Sequence, residues 1–136
     1  MSDSKRAGQA GQALVELALV IPVLAVLLFG GIEAGRLFFT YVALEEAVHE
    51  GATYGAQQPA DSSGIVARVV ESSSQREVQD AIVDTTDCDA DNVTVSASTT
   101  FPAITPLGSL FAGLFSGGSF TIRATVVATN LQGACT

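Results

Sequence analysis

The sequence is poor in the residues on which most enzymatic and metal-binding chemistry depends. It contains one histidine and two cysteines among 136 residues, and the two cysteines, Cys88 and Cys135, do not form a CxxC pair. The sequence offers no metal-ligand spacing near either cysteine, no phosphate loop and no catalytic constellation. The histidine, His49, falls on a predicted helix, where a solvated surface position is the favoured interpretation. We therefore expect no enzyme, no cofactor and no bound metal.

The densest group of carboxylates is an acidic cluster of four residues, Asp84, Asp87, Asp89 and Asp91. Carboxylate oxygens are calcium ligands, so a calcium site is one interpretation of this cluster. The cluster lacks the central glycine and the terminal glutamate of an EF-hand loop. A solvated acidic turn is therefore the favoured interpretation.

Positive charge is also scarce, because six lysine and arginine residues stand against 14 aspartate and glutamate residues, a net charge of −8. The residues before Gly11 carry a net charge of +1, whereas four arginines and twelve acidic residues lie from Glu33 onward. Basic residues remain on the cytoplasmic side of a membrane, so we expect a cytoplasmic leader and an exported remainder. An acidic exported segment repels phosphates, which argues against nucleic acid as a partner.

One long hydrophobic run dominates what the sequence does contain. Residues 13–32 are apolar apart from Glu16 and the break at Pro22. Twenty helical residues cover about 30 Å, the thickness of the hydrocarbon core of a bilayer, so the run predicts a membrane span. Pro22 predicts a kink, which membrane helices tolerate. A carboxylate at Glu16 costs roughly 2–3 kcal/mol in lipid unless it is paired, protonated or near the surface, so we expect Glu16 to have a function.

The helix is expected to continue beyond the membrane as an amphipathic segment, residues 33–57. One face carries the residues Leu37, Tyr41, Leu44, Val48, Gly51 and Gly55. Gln57 is a suitable last residue, because Pro59 follows it closely. Gly31 and Gly35 have the spacing of a helix-packing pair, although such pairs are common by chance.

The sequence thus divides into a leader at 1–11, expected to be disordered up to residue 10, a long helix at 12–57, and a small exported α+β domain at 58–136. Within the domain, residues 65–83 predict one helix or two short helices broken at residues 72–74, with Val78, Ile82 and Val83 on the buried edge. Residues 84–91 predict a polar loop. Alternating side chains at 92–101 and 120–129 predict two strands of an antiparallel ribbon, joined by a long connection with a short helix.

Antiparallel pairing of these strands would bring Cys88 and Cys135 to the same edge of the ribbon. An exported domain favours a disulfide between them, which stabilises by at most about 4 kcal/mol in the chain-entropy model. Such a crosslink suits the thin core of a two-stranded ribbon. Pairing of Cys135 with another chain is the alternative.

The start of the long helix resembles the processing site of type IV pilin-like proteins. The motif Gly11-Gln-Ala-Leu-Val-Glu16 is followed by a long apolar helix. Residues 11–24, 29–38 and 43–56 together are similar to the TadE-like family, the pseudopilins of the tight-adherence (Tad/Flp) pilus system. Beyond residue 56 the resemblance covers only the general plan of helix, strand, loop and strand.

This resemblance implies that a prepilin peptidase cuts after Gly11, that Gln12 becomes the new N-terminus and that Glu16 becomes the fifth mature residue. In pilin-like proteins this glutamate is thought to meet the terminal ammonium of a neighbouring subunit, and pairing makes two buried charges tolerable. The major pilins of the system are much shorter and carry Glu-Tyr at the motif, whereas Leu17 follows Glu16 here. The departure favours a minor subunit over the bulk protein of the fibre.

The leading interpretation is therefore a membrane-anchored pseudopilin that acts in pilus initiation, at the tip or in assembly. We expect it in the bacterial inner membrane, with an exported C-terminal domain, or in the extracellular pilus. Its implied partners are the membrane, the prepilin peptidase, other pilin and pseudopilin subunits, and the assembly platform. One alternative is an uncleaved signal-anchored protein with an exported ligand-binding domain. Another is a domain released by signal peptidase, for which no convincing small-x-small site follows the apolar run.

Overall fold

In the residues that the structure describes, the chain folds as one very long N-terminal helix that carries three shorter helices and a three-stranded sheet. The computed structural model describes residues 3–88, 91–115 and 119–132. The elements in chain order are α1 (Asp3–Gln57), α2 (Ser62–Glu71), α3 (Arg76–Gln79), β1 (Ile82–Cys88), β2 (Asn92–Pro102), α4 (Pro106–Phe115) and β3 (Ser119–Thr129). This arrangement confirms the predicted α+β class.

Helix α1 is continuous over 55 residues, about 80 Å, and Pro22 lies inside it. It ends at Gln57, as the sequence predicts, but it begins at Asp3. The expectation that residues 1–10 are disordered is therefore wrong from Asp3 onward. The physical reason is that alanine, glutamine, lysine and arginine in this segment are good helix formers, and extending an existing helix requires no new nucleation.

The two parts of α1 have different surroundings. The apolar window within its first part is uncovered by the rest of the protein. The second part packs on the domain, where Leu44, Val48, Gly51 and Gly55 of the predicted face are buried. Tyr41, predicted on the same face, is instead 41% exposed. The amphipathic pattern is thus confirmed from residue 44 to residue 55.

The sheet is antiparallel with the order β1-β2-β3. Strand β2 pairs with β3 in a regular register that includes Val95 opposite Val126 and Phe101 opposite Phe120. The alternation predicted for β2 is present, since Val93, Val95, Ala97 and Phe101 are buried and the residues on the opposite face of the strand are less so. The alternating pattern therefore predicted both strands and their pairing.

Strand β1 corrects two predictions, because residues from Ile82 onward were expected first in a helix and then in a polar loop. Ile82–Cys88 instead pairs with β2 along its outer edge, with an irregular register between Asp84 and Asp87. Ile82, predicted on a buried edge, is 74% exposed. Aspartates interrupt the alternation of this strand, so its β-branched residues gave no clear pattern. The ribbon is consequently a three-stranded sheet.

The core lies where α1, α2 and the sheet meet. Helix α2 contributes Ile65 and Val69, and the break after it at residues 72–75 agrees with the predicted interruption at the serines. Gly51 lets α2 approach α1 closely, since a Cβ there would collide with the Val69 side chain. Gly55 has the same role beside Val93, whose Cγ1 would lie 3.0 Å from an added Cβ.

Strand β2 runs antiparallel to α1, towards the apolar part of the helix. Val93 lies beside Gly55, and Phe101 lies under Arg36, with 4.7 Å from the guanidinium carbon to the ring centroid. From Val93 to Phe101 the strand covers about 26 Å, and from Gly55 to Arg36 the helix covers about 28 Å. The strand and the helix therefore run side by side over this whole length. The connection that contains α4 therefore lies at the end of the domain next to the apolar run.

Candidate functional site

The residues of the predicted processing site lie along an uncovered stretch of α1. Gly11, Gln12 and Glu16 are all exposed, and no atom lies within 4 Å of the position a Cβ would take at Gly11. Among the described residues, none of the ion pairs involves Glu16. In the part of the chain that the structure describes, this carboxylate on an apolar, uncovered helix therefore has no ion-pair partner, and its predicted pairing with another subunit stays a prediction.

The predicted helix-packing residues also have open surroundings. A Cβ added at Gly31 or at Gly35 would meet no atom within 4 Å. Pro22 lies six residues after Glu16 on the same exposed stretch. No described residue therefore fills the space beside either glycine, and contact with a neighbouring helix stays a prediction.

Where the apolar run ends, α1 is bound to the domain by a group of polar contacts that we call the exit cluster: Glu33, Arg36, Glu77, Phe101, Thr105 and Gly108. The carboxylate of Glu33 accepts hydrogen bonds from two successive backbone amides, Ile104 N at 3.2 Å and Thr105 N at 3.3 Å. Only 13% of the Glu33 side chain is exposed. These amides immediately precede α4, so Glu33 binds near the positive N-terminal end of that helix.

Arg36 connects α1 to two further elements of the domain. Its guanidinium donates to Glu33 Oε1 at 3.4 Å. It also lies 3.8 Å from Oε1 of Glu77, a residue of α3. The same group stacks over the ring of Phe101 on β2, a cation–π arrangement. The hydroxyl of Thr99 donates to the Glu77 carbonyl and thereby connects α3 to β2. Arg36 therefore bridges the long helix, the short helix and the sheet.

Gly108 in the first turn of α4 makes the approach of Glu33 possible. A Cβ at this position would lie 3.0 Å from Glu33 Cδ and 2.7 Å from Thr105 Oγ1. The amide of Gly108 donates to Thr105 Oγ1 at 2.9 Å, which caps the start of α4. The sequence placed Glu33 and Arg36 within the family resemblance but did not reveal this arrangement. Their spacing of three residues was a signal for mutual contact, whereas their partners lie about 70 positions away.

A second polar group joins the far end of α1 to α2. Asp61 caps α2 by accepting from Gly64 N at 2.9 Å, and it also accepts from Ser63 Oγ at 2.7 Å and from Tyr54 Oη at 2.8 Å. These hydrogen bonds, that from Ser63 first, lower the pKa of Asp61. The bond to Asp61, with some desolvation, raises the pKa of Tyr54. The guanidinium of Arg68 lies 5.4 Å from the Tyr54 ring centroid.

The candidate metal ligands do not converge in the part of the chain that the structure describes. His49 is exposed beside an open hollow of about 520 Å³ that Glu46, Glu50, Arg68, Glu71 and Ser72 also line. Asp84 and Asp91 are exposed, while Asp89 and the Asp87 side chain lie outside the described residues. Among the described residues, no group of three histidine, cysteine or acidic side chains could hold a metal ion.

The structure describes one of the two cysteines of the predicted disulfide, Cys88. Cys88 is half-buried at the end of β1, opposite Val93 of β2. Cys135, the predicted partner, lies outside the described residues. The intrachain disulfide stays a prediction.

These features define a class of protein: a small α+β domain built on one long helix with the length and hydropathy of a single-pass membrane anchor. Residues 11–53 match the family model of TadE-like proteins. The match covers 43 of the 136 residues and confirms the resemblance read from the motif, and it suggests a protein associated with the Tad pilus. No curated protein and no solved structure matches the chain.

Proposed function

We propose that this protein is a minor pilin-like subunit, a pseudopilin, of a Tad/Flp-type pilus, and that a prepilin peptidase processes it after Gly11. The observation that carries the proposal is the family match, which starts at Gly11 and includes Glu16 and the exit residues Glu33 and Arg36. The subunit acts in pilus initiation, at the tip or in assembly. Its partners are the peptidase, other pilin and pseudopilin subunits, and the assembly platform.

The exposure of Glu16 supports this function on physical grounds. Cleavage after Gly11 leaves an ammonium group on Gln12, four residues from a carboxylate that lies on an uncovered apolar helix. In lipid or in a fibre each charge alone is costly, and a salt bridge between neighbouring subunits offsets part of that cost. An anchor without this task gains nothing from a carboxylate at the position.

The exit cluster supports a role in which the domain must hold a fixed position relative to the anchor. Glu33 binds the start of α4, and Arg36 binds α3 and β2, so three elements of the domain are attached to α1 directly beyond the apolar run. An assembled subunit packs through its helix and displays its domain at a defined place. We infer that the helix lies in the inner membrane with a cytoplasmic N-terminus and an exported domain, in agreement with the charge distribution.

Mass spectrometry of the mature protein tests the proposal. Membrane and sheared-pilus fractions should both be analysed from strains with an active and an inactivated prepilin peptidase. We expect a protein that begins at Gln12 only in the strain with the active enzyme. An intact Met1 in that strain would contradict the proposal and favour the uncleaved anchor with a ligand-binding domain.

The role of Glu16 requires a separate experiment. Glu16→Ala should strongly reduce assembly of the subunit into sheared pili, whereas Leu19→Ala, an exposed apolar position on the same stretch, should leave assembly near the wild-type level. Immunoblots of both fractions give the measurement. Normal assembly of Glu16→Ala would remove the carboxylate from the proposed mechanism.

A further inference from the structure

We propose that α4 is an interfacial helix that lies on the lipid surface of the membrane which α1 enters. It would give the domain a second point of attachment to the bilayer, beside the span. The inference rests on α1 being the membrane anchor, and it does not depend on cleavage at Gly11.

The first argument is the position of α4 in the fold. Strand β2 carries the chain along α1 towards the apolar run, and α4 follows at the end of that path. The hydrogen bonds from Ile104 N and Thr105 N to Glu33 place the start of α4 at the first polar residue after the run. α4 is therefore located where α1 emerges from the hydrocarbon core, at the level of the headgroups.

The second argument is the chemistry of α4. Its sequence from Pro106 to Phe115 contains no charged residue, and most of its side chains are apolar. Leu110 and Leu114 are 58% and 70% exposed, and Ile104, just before the helix, is 64% exposed. The spacing of four residues puts the two leucines on one face. An uncharged helix with an exposed apolar face is unfavourable in water and favourable at the boundary of headgroups and acyl chains.

The third argument comes from α1 itself. Phe38 and Phe39 are both mostly exposed and lie about one and a half turns beyond Glu33. Exposed aromatic residues just beyond a membrane span are typical of the interfacial belt. The aromatic pair and α4 thus lie at similar depths and continue the apolar surface of the span onto the domain. A lipid surface fits this continuity, because it contacts both elements at once.

The test uses tryptophan as a depth reporter in the full chain. The sequence contains no tryptophan, so each single substitution gives a chain with one tryptophan. Leu114→Trp reports on α4, and Leu24→Trp reports on the span. Leu131→Trp is the matched control, because Leu131 is 75% exposed and its amide donates to Ala56 O at the far end of the domain. The proteins are reconstituted in phosphatidylcholine vesicles with and without lipid brominated high on the acyl chain.

We expect brominated lipid to quench Leu114→Trp strongly, and acrylamide to quench it several-fold more weakly than Leu131→Trp. Leu131→Trp should not respond to brominated lipid. Equal responses of the two reporters would overturn the inference, and so would a Leu114→Trp signal shielded from acrylamide but insensitive to brominated lipid, since a protein partner would then cover α4. Leu110→Trp repeats the measurement on the same face. If Leu24→Trp, near the middle of the span, is insensitive to lipid brominated deep on the acyl chain, the anchor itself is wrong, which separates the two failures.

Discussion

The two parts of α1 belong to one continuous helix but obey different constraints. Gly31 in the apolar part and Gly35 at the boundary with the second part have empty space where a Cβ would be. In the second part, a Cβ at Gly51 or Gly55 would press on buried side chains of α2 and β2. The same residue type therefore leaves room for another molecule in the first part and permits close packing within the chain in the second. Composition alone does not distinguish these uses, because only the position of the domain decides between them.

The largest expected effect comes from removing a buried leucine of the covered part. Leu44 is fully buried, so Leu44→Ala should lower the free energy of unfolding of the domain by about 2–5 kcal/mol. Leu24→Ala, at an exposed position of the uncovered part, should leave domain stability nearly unchanged. Denaturant unfolding of the detergent-solubilised protein measures both. Similar losses in the two variants would contradict the division of α1.

The exit cluster marks the boundary between the two parts. Glu33→Ala leaves the amides of Ile104 and Thr105 without their acceptor and should cost about 1–3 kcal/mol of domain stability. Glu33→Gln retains one acceptor oxygen and should cost less. Proteolysis at the segment before α4 should be fastest in Glu33→Ala, slower in Glu33→Gln and slowest in the wild type. Limited digestion followed by mass spectrometry measures these rates. An unchanged digestion rate in Glu33→Ala would argue against the attachment of α4 to α1.

Glycine replacements test the comparison directly. Gly51→Ala should destabilise the domain by about 1–2 kcal/mol, since overpacking outweighs the gain in helix propensity. Gly35→Ala, the matched control, should be neutral or slightly stabilising in the isolated subunit because nothing lies near it. Thermal unfolding in detergent gives the ranking. A stabilising Gly51→Ala would show that α2 is not held closely against α1.

The smallest effect is a pH dependence at the far end of the covered part. The pKa of Asp61 is lowered in the folded protein, so its hydrogen bonds stabilise the fold above the ordinary aspartate range, and this contribution is lost as the pH falls through the folded value. The pKa of Tyr54 is raised, so its hydrogen bond stabilises the fold at neutral pH, and this contribution is lost as the pH rises through the folded value in the alkaline range. Asp61→Asn should flatten the decline in melting temperature below about pH 4, and Ser62→Ala, at an exposed neighbouring position without a titratable group, should not. Identical acid profiles in both variants would contradict this assignment.

Periodic features of the sequence predicted most of the fold. The apolar run and the amphipathic continuation gave α1, and alternating side chains gave β2, β3 and their inward faces. The predictions failed where local pattern and tertiary environment disagreed. Residues 82–88 become a strand because β2 offers a free edge, which no property of those seven residues reveals.

The candidate site divides in the same way. Gly11, Gln12 and Glu16 could be found because they form a short contiguous motif. The partners of Glu33 could not, because backbone amides about 70 residues away carry no side-chain signature. The sequence did contain the pair Glu33 and Arg36 directly after the apolar run. These are the first charged residues beyond the segment in which the hydrocarbon core makes charge costly.

A single uninterrupted helix with a domain fastened to it has a rotational consequence. Each residue of α1 advances the azimuth by about 100°, and the contacts of Arg36 with Glu77 and Phe101 fix the domain at one phase of that rotation. A partner that binds the first part of α1 therefore also determines the direction about the helix axis in which the domain faces. Inserting one residue between Ile32 and Glu33 would turn the whole domain by more than a quarter of a circle while leaving its internal structure intact.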